Sequence, residues 1–463
     1  MTEQLKLKLN DSKATRWGAL VIVAFTMMAA YYVNDVVAPL KTMLETDLAW
    51  SSTDFGFFTG GYSFLNFFFL MLIWGGLILD RFGIRFTGKL ATILMVGGTA
   101  LEYYAMTGLA GADATLFGIN EIFGYKTGVF VAFAGYSIFG VGAEVAGITV
   151  SKIIAKWFKG KELATAMGVQ VALARIGSQA GYAVAIPLAR AFGISTPVLL
   201  GLVLLLGGMI AFFIFAVMDK KLDKQMEAAA IAAGTEDEEE KFSFKDVKNI
   251  LVNPGFWLIA LLCVLFYSCV FPFQKFASEL MIIKYGINEN VAGTFAGLPA
   301  LGALILTPVF GGFIDKRGKS ASIMLLGSAM LICVHFIYAI PDINYWLVAI
   351  VLMIILGIAF SLVPSAMWPA VAKIFPVSQL GTAYALIFFI QNIGLWGIPT
   401  LIGWVLDAYC ISGKKPDGTN MYDYTVPMCI FTGIACLSLI VALLLKKADK
   451  KYGYKLEEPN IQK

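Results

Sequence analysis

An acid and a base stand inside two long apolar runs of the sequence: Glu144 in one, Arg175 in the next. The short turn between the runs, Phe158 to Lys161, lies midway between them. Each residue is about 12 to 14 positions from the turn, so at 1.5 Å of rise both sit roughly 18 to 21 Å along their helices, at one level. A planar guanidinium grips a carboxylate through two parallel hydrogen bonds, and a carboxylate accepts from an ammonium group. Such a pair suits a ligand with one anionic and one cationic end. The plainer reading is a buried ion pair holding two helices together, and buried pairs are weak evidence for added stability.

Few other groups offer chemistry. Tyr31 and Asp35, and Tyr62 and Asn66, are spaced one helical turn apart in the first two apolar runs; a tyrosine in a span is more often packing or interfacial than a ligand. Asp35 is ~27 Å from the start of its run, near the far surface, where it serves as a gate residue or is simply solvated. Lys275 and Glu279 are placed to form a local i, i+4 pair. The single histidine, His335, lies in an apolar run and reads as a structural residue. Enzyme readings fail on inventory. No G-x-S-x-G or C-x-x-C occurs, no second histidine completes a metal cluster, and five residues separate Gly312 from Gly318 where a phosphate loop needs four. No catalytic residue, metal or cofactor is expected, and without an ATPase module any transport runs on solute or ion gradients.

The elements that carry these residues follow from composition. Of 463 residues, 59% are apolar and only 14% charged, and mean hydropathy is +0.78. A soluble domain is about 45 to 50% apolar and about 25% charged, so this chain belongs in a lipid bilayer. A net charge of +4 in such a chain informs on orientation; nucleic-acid binding is a poor reading. Twelve apolar runs of spanning length fall at roughly 17–40, 55–79, 86–107, 127–151, 163–189, 195–218, 255–282, 290–314, 320–340, 345–371, 378–407 and 425–445. The first is too long for a signal-peptide core. Alternating the loops places 27 of the 35 Lys and Arg on the side of both termini, which the positive-inside rule makes cytoplasmic. Six scattered cysteines read as packing residues, although Cys410 and Cys429 bracket a loop and could pair if it faces an oxidising side.

The chain repeats itself. Ala155 to Gly177 aligns without a gap on Ala372 to Gly394 with eight identities in 23, and Gly76 to Gly83 matches Gly311 to Gly318. The expected organisation is an all-α integral membrane protein with twelve transmembrane helices in two six-helix parallel repeats: a tail (1–16), an N-terminal bundle (17–218), a charged cytoplasmic linker (219–253) containing Glu236 to Glu240, a C-terminal bundle (254–446) and a cytoplasmic tail (447–463). Substrate then binds between the repeats near the bilayer midplane. The offset maps Glu144 onto Ser361 and Arg175 onto Asn392, leaving the second half polar but uncharged there; Gln391 and Asn392 face the pocket by the same pseudo-symmetry.

At this point the chain resembles a known family. Gly76, Asp80, Arg81, Gly83 and Arg85 form G-x-x-x-D-R-x-G-x-R, similar to the signature loop of the major facilitator superfamily, and the resemblance covers nearly the whole chain. WFKGKE at 157–162, ARIGS at 174–178, FPF at 271–273, WP at 368–369, LGTAY at 380–384 and QN at 391–392 resemble the branch containing the lysosomal dipeptide uniporters. The resemblance implies that Glu144 takes the α-amino group of a dipeptide and Arg175 its α-carboxylate, with Tyr31, Tyr62 and Asn66 in the pocket. It also implies an inner gate, in which Asp80 faces the start of span eleven near Ser378 and Asp315, with Arg317, does the equivalent at span five. Short termini, no acidic dileucine signal and no outward N-x-S/T point to a bacterial inner membrane.

The expected activity is alternating-access uniport of dipeptides or similar small zwitterions. The rivals are a proton-coupled symporter of peptides or organic anions, with Glu144 or Asp35 as proton site, and a transport-inactive sensor of the same shape. Matching gate motifs in both halves argue against a static receptor. The partners expected are a small-molecule substrate and the lipid bilayer; the sequence names no accessory subunit.

Overall fold

Hydrocarbon offers no water to backbone N–H and C=O groups, so apolar runs of this length close their hydrogen bonds as helices. The computed structural model describes residues 8–111, 114–158, 161–233 and 244–459, and each of the twelve apolar runs is helical over most of its length. In chain order the helices are α1 (Lys13–Val36), α2 (Lys41–Asp47), α3 (Ser52–Phe68), α4 (Met71–Thr107), α5 (Thr127–Phe158), α6 (Leu163–Phe192), α7 (Thr196–Ala233), α8 (Phe244–Val252), α9 (Pro254–Tyr285), α10 (Glu289–Ala296), α11 (Leu298–Arg317), α12 (Ser320–Ala339), α13 (Trp346–Ile374), α14 (Val377–Tyr409) and α15 (Thr425–Tyr452). Among the described residues, nine helical segments are long and apolar enough to cross a membrane by themselves, and a tenth if α3 and α4, bent by 57°, count as one broken span. α6, which carries Arg175, is 30 residues long but not among the nine.

The second apolar run is therefore not one straight helix. It breaks at Phe69 and Leu70, where Leu70 adopts φ +55°, and α4 kinks again at Gly83 with φ +74° and ψ 174°. A residue other than glycine is strained at that angle, which gives the signature-loop glycine a backbone reason.

α1 and α3–α7 pack among themselves, α9–α15 do likewise, and the two groups meet where α3 lies on α14 and where α6 lies on α10 and α11. The α3–α14 contact is backbone to backbone. A Cβ added to Gly56 would come within 2.4 Å of the Pro399 carbonyl oxygen, and one on Gly403 within 2.3 Å of that of Ser52.

Three features depart from the expected boundaries. α7 continues as helix to Ala233 and α8 occupies 244–252, so much of the expected linker is helical; Glu236 to Glu240 lie outside the described residues. α15 likewise continues to Tyr452, and the tail beyond it docks on the start of α12. There the Glu457 carboxylate accepts from the Ser322 N–H and hydroxyl, both at 2.8 Å, an anion where a helix N-terminus favours one. Two β-hairpins, unforeseen in an all-α reading, fold at the end of the molecule opposite the termini. β1 (Glu121–Ile122) and β2 (Tyr125–Lys126) turn through Phe123 and Gly124, both at positive φ, and β3 (Ile411–Lys414) pairs with β4 (Asn420–Tyr422) around Pro416, Asp417 and Gly418.

His335 is buried against Phe273 and Phe431, its Nε2 3.0 Å from the Cys269 carbonyl oxygen. Cys410 and Cys429 are both free thiols.

Candidate binding site

A central cavity of about 610 Å³ opens between the two groups of helices. α1 contributes Tyr31 and Asn34, α3 contributes Tyr62 and Ser63, and α5 presents Glu144, Gly147, Ile148 and Ser151, one face at helical spacing. α6 presents Gln170, Val171, Ala174 and Arg175 by the same rule. From the other group come Tyr267, Phe271 and Lys275 on α9, Trp368 on α13, and Phe388, Gln391 and Asn392 on α14.

Glu144 and Arg175 thus share one cavity, yet they form no ion pair with each other among the described residues. Glu144 accepts one hydrogen bond, from the Tyr62 hydroxyl at 2.9 Å. The Arg175 guanidinium lies 4.8 Å from the centre of the Phe360 ring and 5.7 Å from that of Tyr31. Aromatic faces hold a cation by their quadrupole and leave its N–H edge free. No hydrogen bond from that edge is made among the described residues. One anion and one cation, each steadied by an aromatic residue, face the same space.

The remaining expected pocket residues divide. Tyr31, Tyr62, Gln391 and Asn392 line the cavity. Gln391 accepts from the Cys263 thiol at 3.5 Å, and the Asn392 amide donates to the Phe388 carbonyl at 2.9 Å. Asn66 does not line it: one turn beyond Tyr62, it is 1% exposed and donates back to the Tyr62 carbonyl at 3.4 Å. Ser361, the repeat partner of Glu144, is also turned away, bonded to the Gly357 carbonyl of its own helix. The sequence reading missed Asn34, Lys275 and the aromatic wall of Tyr267, Phe271, Trp368 and Phe388. FPF and WP marked part of that wall, but in a chain that is 14% aromatic nothing in spacing separates pocket rings from packing rings.

The cavity is shut at the end opposite the termini. Four ion pairs cross between the helix groups there among the described residues: Lys275 with Asp35 at 3.0 Å, Lys41 with Glu279 at 2.5 Å, Lys415 with Glu45 at 3.5 Å, and Arg190 with Glu289. Asp35 is therefore neither solvated nor at the surface, and Lys275 and Glu279 do not pair locally. α9 instead aims both side chains across the interface, where α1 and α2 supply opposite charges. The Asp407 carboxylate of α14 accepts from the Ser52 and Thr53 N–H groups at the start of α3, at 3.3 and 2.6 Å.

At the terminal end the cavity wall continues to Ser151 and to Val171, which is 45% exposed. The residues of 76–85, Asp315 and Arg317, expected at a gate, lie toward this end. Asp80 is exposed and meets Lys152 of α5 at 3.1 Å; the side chains of Val377 and Ser378, at the start of α14, lie outside the described residues. Arg81 is exposed with its guanidinium 5.5 Å from the Phe82 ring, Arg85 pairs with Asp223 at 2.7 Å and with Asp219 at 3.7 Å, and Gly76 has open space where a Cβ would point. Asp315 and Arg317 lie in the last turn of α11, Asp315 half-buried and Arg317 exposed.

Comparison with known proteins agrees with this architecture. The Major Facilitator Superfamily profile matches residues 20–399 and 276–458. The human lysosomal dipeptide transporter MFSD1 is 29% identical over 454 residues, 95% of this chain and 88% of that protein. Among solved structures, the nucleoside transporter NupG superposes with a TM-score of 0.68 at 12% identity, covering 92% of this chain and 98% of that one. A bacterial homologue of the human lysosomal transporter Spinster, in an inward-facing and occupied conformation, superposes with a TM-score of 0.65 at 14% identity over 97% and 100% of the two chains. At those identities the structural likeness speaks to fold alone.

Proposed function

The chain belongs to the major facilitator superfamily, and from that premise we propose that it moves dipeptides or similar small zwitterions across the membrane by alternating access, as a uniporter. The observation that carries this reading is the pair Glu144 and Arg175, facing one cavity without pairing to each other. In the bound state Glu144 receives the α-amino group beside the Tyr62 hydroxyl. Arg175 clamps the α-carboxylate through two N–H donors while Phe360 and Tyr31 support its faces. Gln391, Asn392 and Asn34 offer hydrogen bonds to the peptide unit, and the aromatic wall accepts varied side chains without demanding one.

Residues 17–218 and 254–446 are the two moving bundles in this reading. Asp35, the glycines and charges of 76–85, and Asp315 with Arg317 act at the gates. The protein then resides in a bacterial inner membrane with both termini cytoplasmic, and the cavity described above opens toward the cytoplasm. A thermal-shift screen of the purified protein against amino acids, dipeptides, tripeptides and sugars tests the substrate class. Stabilisation by dipeptides of varied sequence, and by little else, is the expected result; selective stabilisation by sugars or nucleosides would sink it. Uptake into vesicles with and without an imposed pH gradient separates uniport, which needs only the solute gradient, from proton symport.

A further inference from the structure

α4 carries an acid that the transport reading does not use. Glu102 is completely buried, and neither oxygen of its carboxylate has a hydrogen-bond partner among the described residues. One turn earlier the Thr99 hydroxyl is also buried and without a partner. An ionised carboxylate withdrawn from water with no hydrogen bond is held at high cost, whereas a protonated one loses the charge and gains a donor. The space is too tight for a hydrated metal cation. α4 and α5 touch through their backbones here: a Cβ on Gly98 would lie 2.4 Å from the Phe139 nitrogen, and one on Gly135 2.8 Å from the nitrogen of Glu102 itself. A proton needs no such room.

The charged and titratable groups on the neighbouring elements are few. α5 brings Tyr136, next to the Gly135 that meets the Glu102 backbone, and α9 brings Lys275 toward the Tyr136 hydroxyl. Lys275 is already committed to Asp35 of α1 at 3.0 Å and stands 3.5 Å from the Tyr136 hydroxyl. The acids of α7, Asp219 and Asp223, are held by Arg85 and Lys156 at the terminal end, and Asp54 of α3 faces Lys126. Glu102 itself is little more than one turn from the end of α4 at Thr107, on the side away from the termini.

We propose that Glu102 is a proton-binding site, filled from the compartment on the side opposite the termini and holding its proton while that end of the molecule is closed. Opening that end draws α9 away from α1, breaks the Lys275–Asp35 pair and admits water, in which Glu102 gives its proton back to the same side. The closed form binds the proton more tightly, so acid in that compartment favours closure and alkali favours opening. Because the proton enters and leaves on one side, it sets the balance of conformations without being carried across. The inference rests on the alternating-access part of the proposed function and not on the dipeptide.

Two measurements on the full-length protein test it, neither using substrate. Infrared spectroscopy reads the carbonyl stretch of protonated carboxylic acids, and Glu102→Gln is expected to lose a component that Glu144→Gln retains. Spin labels at Thr46 and Lys414, both exposed at that end, read its closure across pH. The parent protein is expected to open as pH rises, Glu102→Gln to stay closed at every pH, and Glu102→Asp to recover the dependence. An unchanged infrared spectrum in Glu102→Gln, or the same pH response in the parent and Glu102→Gln, overturns the proposal. Failure of dipeptides to bind in a separate assay would leave both readouts intact.

Discussion

Lys275 on α9 reaches 3.0 Å across the interface to Asp35 on α1, while Glu279, one turn further along α9, meets Lys41 at 2.5 Å. Two residues one turn apart on one helix thus send a cation and an anion into the other half of the molecule, where each meets its opposite. Both pairs are nearly dry, and both must break for that end to open.

Lys275→Ala is expected to weaken closure at the end opposite the termini. Removing one partner of a buried pair costs about 3 to 5 kcal/mol because the other charge is left uncompensated. Here the cost falls on the closed form alone, so the balance should move toward the open form by more than tenfold. A cysteine placed at Thr59 in the cavity wall should then react faster with a thiol reagent applied from that side. An unchanged rate would show that the pair is not part of the gate.

Gly56→Ala tests the backbone contact between α3 and α14. The added methyl would meet the Pro399 carbonyl oxygen at 2.4 Å, so the helices must separate at a cost of about 1 to 3 kcal/mol. The same Thr59 reporter should become more reactive and transport should slow, while the protein still folds because each helix group keeps its own packing. Wild-type transport in this variant would mean the contact is dispensable.

Arg175→Ala and Glu144→Gln are each expected to abolish dipeptide-dependent stabilisation. Both proteins should insert and fold, since one changed residue alters insertion by about 3 kcal/mol against many spans. The double change Glu144→Gln with Arg175→Met separates two readings. Retained dipeptide affinity there would mean that the charges serve structure rather than the ligand.

Ligand length provides an independent check. A dipeptide spans two residues at about 3.5 Å each, so anchors for its two ends leave that gap plus contact distances. A free amino acid bridges it poorly and a tripeptide overruns it. Equal stabilisation by free amino acids and dipeptides would remove the ruler.

The segment before α1 should loosen in acid. Asp11 sits below the ordinary carboxylate range because it accepts from Lys161, and Glu162 does so through a backbone hydrogen bond and the Arg16 guanidinium. A carboxyl held low adds stability above its unfolded value and loses it as pH falls through the lowered one. Hydrogen exchange of the amides of residues 8–16 should therefore quicken below about pH 4 and change little between neutral pH and 6. Uniform protection down to pH 3 would mean these contacts do not hold the segment.

What the sequence determined by itself is the part governed by transfer from water to lipid. Apolar runs of this length had to be helices because only a helix satisfies its backbone within one segment, and charges as deep as Glu144 and Arg175 stood out because each is costly there. The internal repeat brought Asn392 to the cavity by arithmetic. Yet the same arithmetic failed for Ser361, whose hydroxyl bonds its own helix, and the resemblance that put Asn66 in the pocket did not foresee that it turns back to the Tyr62 carbonyl. Only the tertiary structure decided which helices face each other, and with them the partners of Lys275, Glu279 and Asp407. A pattern within one helix offers Lys275 the local partner Glu279, and the competing partner Asp35 lies 240 residues away. The closed end was equally illegible. Its contacts depend on how two groups of helices stand against each other, and that is a property of the assembled interface rather than of any segment.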